Sequence, residues 1–128
     1  MFSCRFSTIY ENRLKDRDAA KSVVDSLLYL KANRLFDQTY EFFSPMFFEK
    51  IDTVQLRNIF SLSDSTMGVI ESYSLSDWET KVDEGGVKRG DYMLVYQIKR
   101  AHANTVETYL LRSNNDGLIK IVSFKINR

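Results

Sequence analysis

Apolar positions recur at helical spacing through the first half of the chain and at a spacing of two through the second; the rhythm changes near position 65. Asp16 to Asp18 open the first helical stretch, where a carboxylate suits the unpaired backbone N–H groups of a helix start. Ala20, Val23, Val24, Leu27, Leu28 and Leu35 follow at helical spacing, with Lys21, Asp25, Lys31 and Arg34 largely between them. Lys31 and Arg34 also suit the dipole at the helix C-terminus. A second helical segment spans roughly Leu35 to Phe43. Ser44-Pro45 then restarts the chain, because proline fits a first helical turn and resists continuing an older one. Asp52 or Thr53 caps a last helix through Phe60.

Ser61 to Thr66 read as a loop, and Gly68 to Val82 as one long, bent or bulged strand. Asp83-Glu84-Gly85-Gly86 is a turn. Tyr92 to Lys99 alternate cleanly. Ala101 to Asn104 connect to a strand over Val106 to Leu111, and Asn114-Asn115-Asp116-Gly117 turn into a closing strand over Leu118 to Ile126. The prediction is an α+β domain: N-terminal helices packed on a curved antiparallel sheet of about four strands. Residues 1–13 read as an irregular lead-in and residues 14–128 as one domain. The last three strands carry apolar residues on both faces. Met93, Val95, Tyr109, Leu111, Ile119 and Ile121, or their opposites, would lie on the face away from the helices, which suggests a subunit interface or a covered cavity.

The chain's 128 residues can bury one real core, roughly two-thirds of the surface exposed by the unfolded chain. A formal net charge of +1 provides no overall field for nucleic acid or an anionic membrane, so neither is expected as a partner. No apolar run approaches the roughly 18 residues of a transmembrane helix. Cys4 is the single cysteine, so an intrachain disulfide is excluded. As given, the chain reads as cytoplasmic. Met1-Phe2-Ser3-Cys4 also matches the tail of a lipoprotein signal, and a signal upstream would make Cys4 an envelope anchor.

Three stretches together carry a resemblance to a known family. One is Ala32 through Pro45, with Phe36-Asp37-Gln38-Thr39-Tyr40-Glu41-Phe42-Phe43-Ser44-Pro45; the others are Met67-Gly68-Val69 and Gly117 through Phe124. Over about residues 16 to 127 the chain resembles the nuclear transport factor 2-like (cystatin-like α+β) superfamily, and within it small bacterial domains of unknown function. The resemblance implies a cone-shaped roll whose open end can hold a pocket, and frequent dimerisation through the sheet. It also strengthens the lipoprotein reading. It does not choose among the enzymatic and binding functions found on that fold.

Enzymes of the superfamily place an acid or a His–Asp pair inside the cone, and no matching pair is evident here. His102 sits in a hairpin connection and reads as a solvated loop residue, and its pairing with Cys4 is disfavoured by a frayed terminus. Asp37 and Glu41 share a helix face, and Glu71, Asp77 and Glu79 lie on the long strand. One of these, buried beside Tyr40 or Tyr73, would make a general base. Charged residues on such faces are more often solvated. Lys99, Arg100, Lys120, Lys125 and Arg128 read as a basic rim that protects sheet edges. Tyr40, Phe43, Phe47, Tyr73, Trp78 and Tyr96 are the candidate pocket lining, with core packing as the competing role. No catalytic residue, metal site or cofactor is assigned. The leading expectation is a non-catalytic binding or assembly domain that homodimerises through the sheet. The alternative is a carrier of a small apolar ligand, or a cone-pocket enzyme of the isomerase or dehydratase type, using a buried carboxylate and a tyrosine.

Overall fold

The computed structural model describes residues 8–86 and 88–128; Cys4 lies outside them. Helix α1 (Leu14–Ala32) presents Ala20, Val24, Leu27, Leu28 and Lys31 as its buried stripe. A 3-10 helix (Phe36–Phe42) follows, then α2 (Pro45–Phe48) and α3 (Thr53–Met67). The Ser44 hydroxyl accepts a hydrogen bond from the Phe47 N–H at 3.2 Å, and Pro45 begins α2 as the sequence predicts. Asp52 caps α3 reciprocally with Gln55: the Asp52 carboxylate accepts from the Gln55 N–H at 2.8 Å, and the Gln55 side chain accepts from the Asp52 N–H at 2.9 Å. Asp52→Ala is expected to lower the unfolding free energy by about 1 kcal/mol, read as a lower urea midpoint at unchanged slope.

The predicted loop at Ser61 to Thr66 is instead the last turns of α3. Its serines do not break the helix because they bond within it: Ser63 Oγ donates to the Ile59 carbonyl at 2.8 Å and Ser65 Oγ to that of Leu62 at 3.1 Å. The helix ends at Gly68, and among the described residues no helical turn follows Met67.

Among the described residues the sheet has five antiparallel strands in the order β1-β2-β3-β4-β5, rather than about four. They are β1 (Ile9–Glu11), β2 (Ile70–Asp83), β3 (Arg89–Arg100), β4 (Asn104–Ser113) and β5 (Ile119–Asn127). The additional strand, β1, lies in the segment predicted to be irregular. It is three residues long and largely exposed, so it shows none of the apolar alternation that marks a buried strand. Asn12 fixes its exit: the backbone N–H donates to the Thr80 carbonyl at 2.9 Å, and the side-chain oxygen accepts from the Thr80 N–H at 3.0 Å. The long strand β2 is bulged, with register shifts at Ile70/Ser72 and Leu75/Asp77.

Alternation assigns the two faces. Tyr92, Leu94, Tyr96 and Ile98 of β3 point toward the helices, as do Tyr109 and Leu111 of β4 and Ile121 of β5; all are buried. Met93 and Val95 point outward, alongside Val106, Thr108 and Leu110. The apolar excess is therefore split between faces: Tyr109, Leu111 and Ile121 serve the core, whereas Met93 and Val95 do not. Helices and sheet share an aromatic centre in which Phe124 lies 5.9 Å from Phe60 and Tyr109 and 6.0 Å from Phe43 and Phe47, ring centroid to centroid.

Candidate functional site

Four charged side chains meet inside the domain. Lys31 extends the apolar stripe of α1, and Arg100 and Glu107 occupy inward positions at the ends of β3 and β4 nearest their connection. Asp64 lies one turn beyond Phe60 on the buried side of α3. Lys31 is 2%, Arg100 3% and Glu107 0% exposed. Lys31 Nζ donates to Glu107 Oε1 at 2.6 Å and to the Tyr109 hydroxyl at 3.1 Å, and that hydroxyl donates to Glu107 Oε1. Arg100 donates to Glu107 Oε2 at 3.0 Å, Asp64 Oδ1 at 3.0 Å, the Gly68 carbonyl at 3.1 Å and Thr105 Oγ1 at 3.3 Å. Arg34 lies 3.7 Å from Asp64 Oδ2 at the edge of the cluster.

Two cations and two anions thus neutralise one another where water is excluded. Burial pushes the Glu107 carboxyl up, but Lys31, the Tyr109 hydroxyl and Arg100 more than offset this and hold it below its ordinary value. Burial lowers Lys31, and contact with Glu107 limits the fall. Tyr109 is held well above its ordinary range by burial first and by Glu107 second, so it remains a phenol donor. None of these residues lines the groove described below or the four other surface cavities found beside β2–β4, α1 and α2. Proton transfer requires contact with a substrate, and the geometry instead locks α1, α3, β3 and β4 together.

Of the predicted carboxylate–tyrosine contacts, Asp37 does accept from the Tyr40 hydroxyl, but at an exposed position; the more buried contacts use other acids. Besides Glu107–Tyr109, the Tyr96 hydroxyl donates to Asp25 at 2.8 Å, and Lys21 donates to the same carboxylate at 2.6 Å. Burial, then Asp25, pushes the Tyr96 phenol far up. Asp37, by contrast, is exposed and pairs with Arg57 at 2.5 Å, and Glu41, Glu71, Asp77 and Glu79 are solvated. His102 is exposed in the β3–β4 turn, as expected. Arg100 leaves the predicted basic rim, because it sits on the inward face of β3.

The six candidate lining residues divide among four places. Phe43 and Phe47 pack together at 4.6 Å between centroids. Tyr73 and Tyr96 are neighbours across β2 and β3 beside Asp25. Trp78 lies under the Arg17 guanidinium, 5.4 Å from its ring. Tyr40 bonds to Asp37 at 3.2 Å. Of the six, Phe47 alone lines a groove of about 560 Å³ between α2, α3 and β5. Its walls include Ile51, Ile59, Leu62, Met67, Phe124 and Ile126. Its size falls within the range of small-ligand sites, which are roughly 300–1,000 Å³.

Comparison with protein families, curated proteins and solved structures finds no match. Among the described residues no helix is long and apolar enough to cross a membrane, and no group of His, Cys, Asp and Glu is arranged to hold a metal.

Proposed function

We propose that the chain is a non-catalytic assembly domain of the nuclear transport factor 2-like kind, and that it homodimerises through the outer face of its sheet. The pattern on that face carries the reading. Met93, Val95 and Leu110 form its centre. Asp77 and Glu79 on β2 flank them on one side, and Ser123 and Lys125 on β5 flank them on the other. A two-fold axis parallel to the strands, passing between β3 and β4, sets each residue against the partner copy's residue from the same cross-strand row. Met93 then meets Leu110, Val95 meets Thr108, Asp91 meets Arg112 and Asp77 meets Lys125. One like-charge meeting, Lys81 with Lys120, falls at the rim, where solvent screens it. Aligned packing of two antiparallel sheets at about −30° fits this arrangement.

The order of helices followed by a four-strand meander supports the family reading, with β1 as an added edge. The closure of the interior around Lys31, Arg100, Glu107 and Tyr109 weighs against a cone-pocket enzyme. A small apolar ligand remains a second reading, favoured by the groove beside α3.

Light scattering at micromolar concentration is expected to give twice the chain mass. Leu110→Glu, at a side chain already 43% exposed, is expected to give the monomer with unchanged circular dichroism. Asp77→Lys and Lys125→Asp are each expected to weaken the dimer, and their combination to restore it. A wild-type monomer at these concentrations overturns the proposal.

A further inference from the structure

We infer that the groove beside α3 and the free edge of β5 together form an acceptor site for an extended peptide, which adds as a further strand. β5 lies at the end of the sheet order, so half of its backbone groups face away from β4. Among the described residues, the backbone of the chain's own segment pairs with that edge at Ile121: Phe43 forms a parallel bridge with it, and the Ser44 N–H donates to its carbonyl at 2.9 Å, while the Lys120 side chain donates to the Glu41 carbonyl beside them. Pro45 then begins α2 and turns the chain away. Over residues 122–127 no further backbone pairing occupies the edge among the described residues.

That unpaired stretch runs along the apolar groove, with Phe124 and Ile126 on one side and Ile59, Leu62 and Met67 on the other. Leu62, 66% exposed, extends the apolar wall of the groove out to solvent. A strand added here continues the pairing started at Phe43 and Ile121, satisfies the backbone of β5, and drops every second side chain into the groove. An acyl chain would fill the groove but leave the strand edge unpaired. Lys50 is the one charged residue lining the groove, so the complementary peptide carries an acidic residue beside its apolar positions. The partner is therefore an extended segment with alternating apolar side chains and an acidic flank. This site shares Ser123 with the flank of the outer sheet face but needs no second copy of the chain to form.

The probe is a fluorescein-labelled peptide of alternating valine and threonine flanked by aspartates, titrated against the full chain by anisotropy. Three competitors or controls accompany it: the same peptide N-methylated at alternate amides, oleate, and the Leu110→Glu chain. Expected are binding with Kd on the order of 10 μM, at least roughly tenfold weaker binding of the N-methylated peptide, and equal binding by Leu110→Glu. Leu62→Asp and Lys50→Glu, both at exposed positions, are each expected to weaken binding by about tenfold or more. Amide shifts on binding should centre on residues 122–127. Equal affinity for the N-methylated peptide, no peptide binding, or tight oleate binding without peptide binding each overturns the inference. Loss of peptide binding in Leu110→Glu does so as well, since it moves the site to the outer face.

Discussion

Replacing Glu107 with glutamine is expected to lower the unfolding free energy by about 3–5 kcal/mol, the cost of leaving a buried charge without its partner. The carboxylate is fully buried and serves Lys31, Arg100 and Tyr109 simultaneously. Glutamine keeps the volume but removes the charge, and its amide sets N–H donors against two cations. Lys31 suffers most, because its remaining polar contact is the Tyr109 hydroxyl. Arg100 keeps Asp64 and the Gly68 carbonyl. A domain of this kind has roughly 5–15 kcal/mol in total, so the variant melts far earlier or is partly unfolded at 25 °C. Lys31→Met tests the same contact from the other side. It leaves Glu107 paired with Arg100 and is expected to cost less. The double variant Lys31→Met/Glu107→Gln removes charge from both ends and should recover part of the loss. A coupling of about 1 kcal/mol or more in that cycle is expected from urea unfolding, and strict additivity would refute the pairing.

The pH dependence follows from the direction of the Glu107 shift. Its folded value lies below the ordinary carboxylate value of 4.5, so the unfolded chain takes up a proton first as the solution is acidified. The stability that Glu107 contributes is complete above that ordinary value and is lost as the pH falls through the lowered folded value. Wild type and Glu107→Gln should thus differ most at neutral pH and converge under acid. A difference that stays constant from pH 7 to pH 3 would mean that the residue acts by shape alone.

The buried cluster also shows how far the sequence could be read. Binary rhythm identifies layers well: it places α1, the restart at Ser44-Pro45, the cap at Asp52, the bulged β2 and the three closing strands, because each depends on local spacing and turn chemistry. It treats charge as a mark of solvent, and there it fails four times. Lys31 stands four residues after Leu27 and three after Leu28 and so belongs to their stripe. Arg100 shares the phase of Tyr96 and Ile98, and Glu107 that of Tyr109 and Leu111. Asp64 stands one turn after Phe60. Each is a charge in phase with an apolar face, and the four sum to zero. That neutrality across separate elements was the available signal, but only a topology that brings the elements together makes it meaningful. β1 was invisible for the opposite reason: its pairing is long-range and its side chains are exposed, so nothing local marks it.

Gly68→Ala is expected to cost about 3 kcal/mol, combining backbone strain with a clash. Gly68 has φ +89° and ψ 162°, a conformation that side-chain-bearing residues rarely adopt. A Cβ built there lies 2.7 Å from Ala101 Cβ and 2.8 Å from the His102 backbone nitrogen. The β3–β4 turn sits against this glycine through two hydrogen bonds of 3.0 Å, from Ala101 N–H to the Val69 carbonyl and from His102 N–H to that of Met67. The Gly68 carbonyl also accepts from Arg100, so moving the turn or the glycine disturbs the charged cluster behind it. Gly117 separates the two causes: its φ is +74°, yet a Cβ there meets nothing within 4 Å. Gly117→Ala should therefore show strain alone, about 1 kcal/mol. Ala101→Gly in the Gly68→Ala background removes one of the clashing atoms and should recover part of the difference, while the His102 contact and the strained φ remain. For a chain of this size the Gly68→Ala melting point should fall by on the order of 10 °C. A drop no larger than that of Gly117→Ala would show that the turn yields freely, and that the junction of helix and sheet does not depend on a missing side chain.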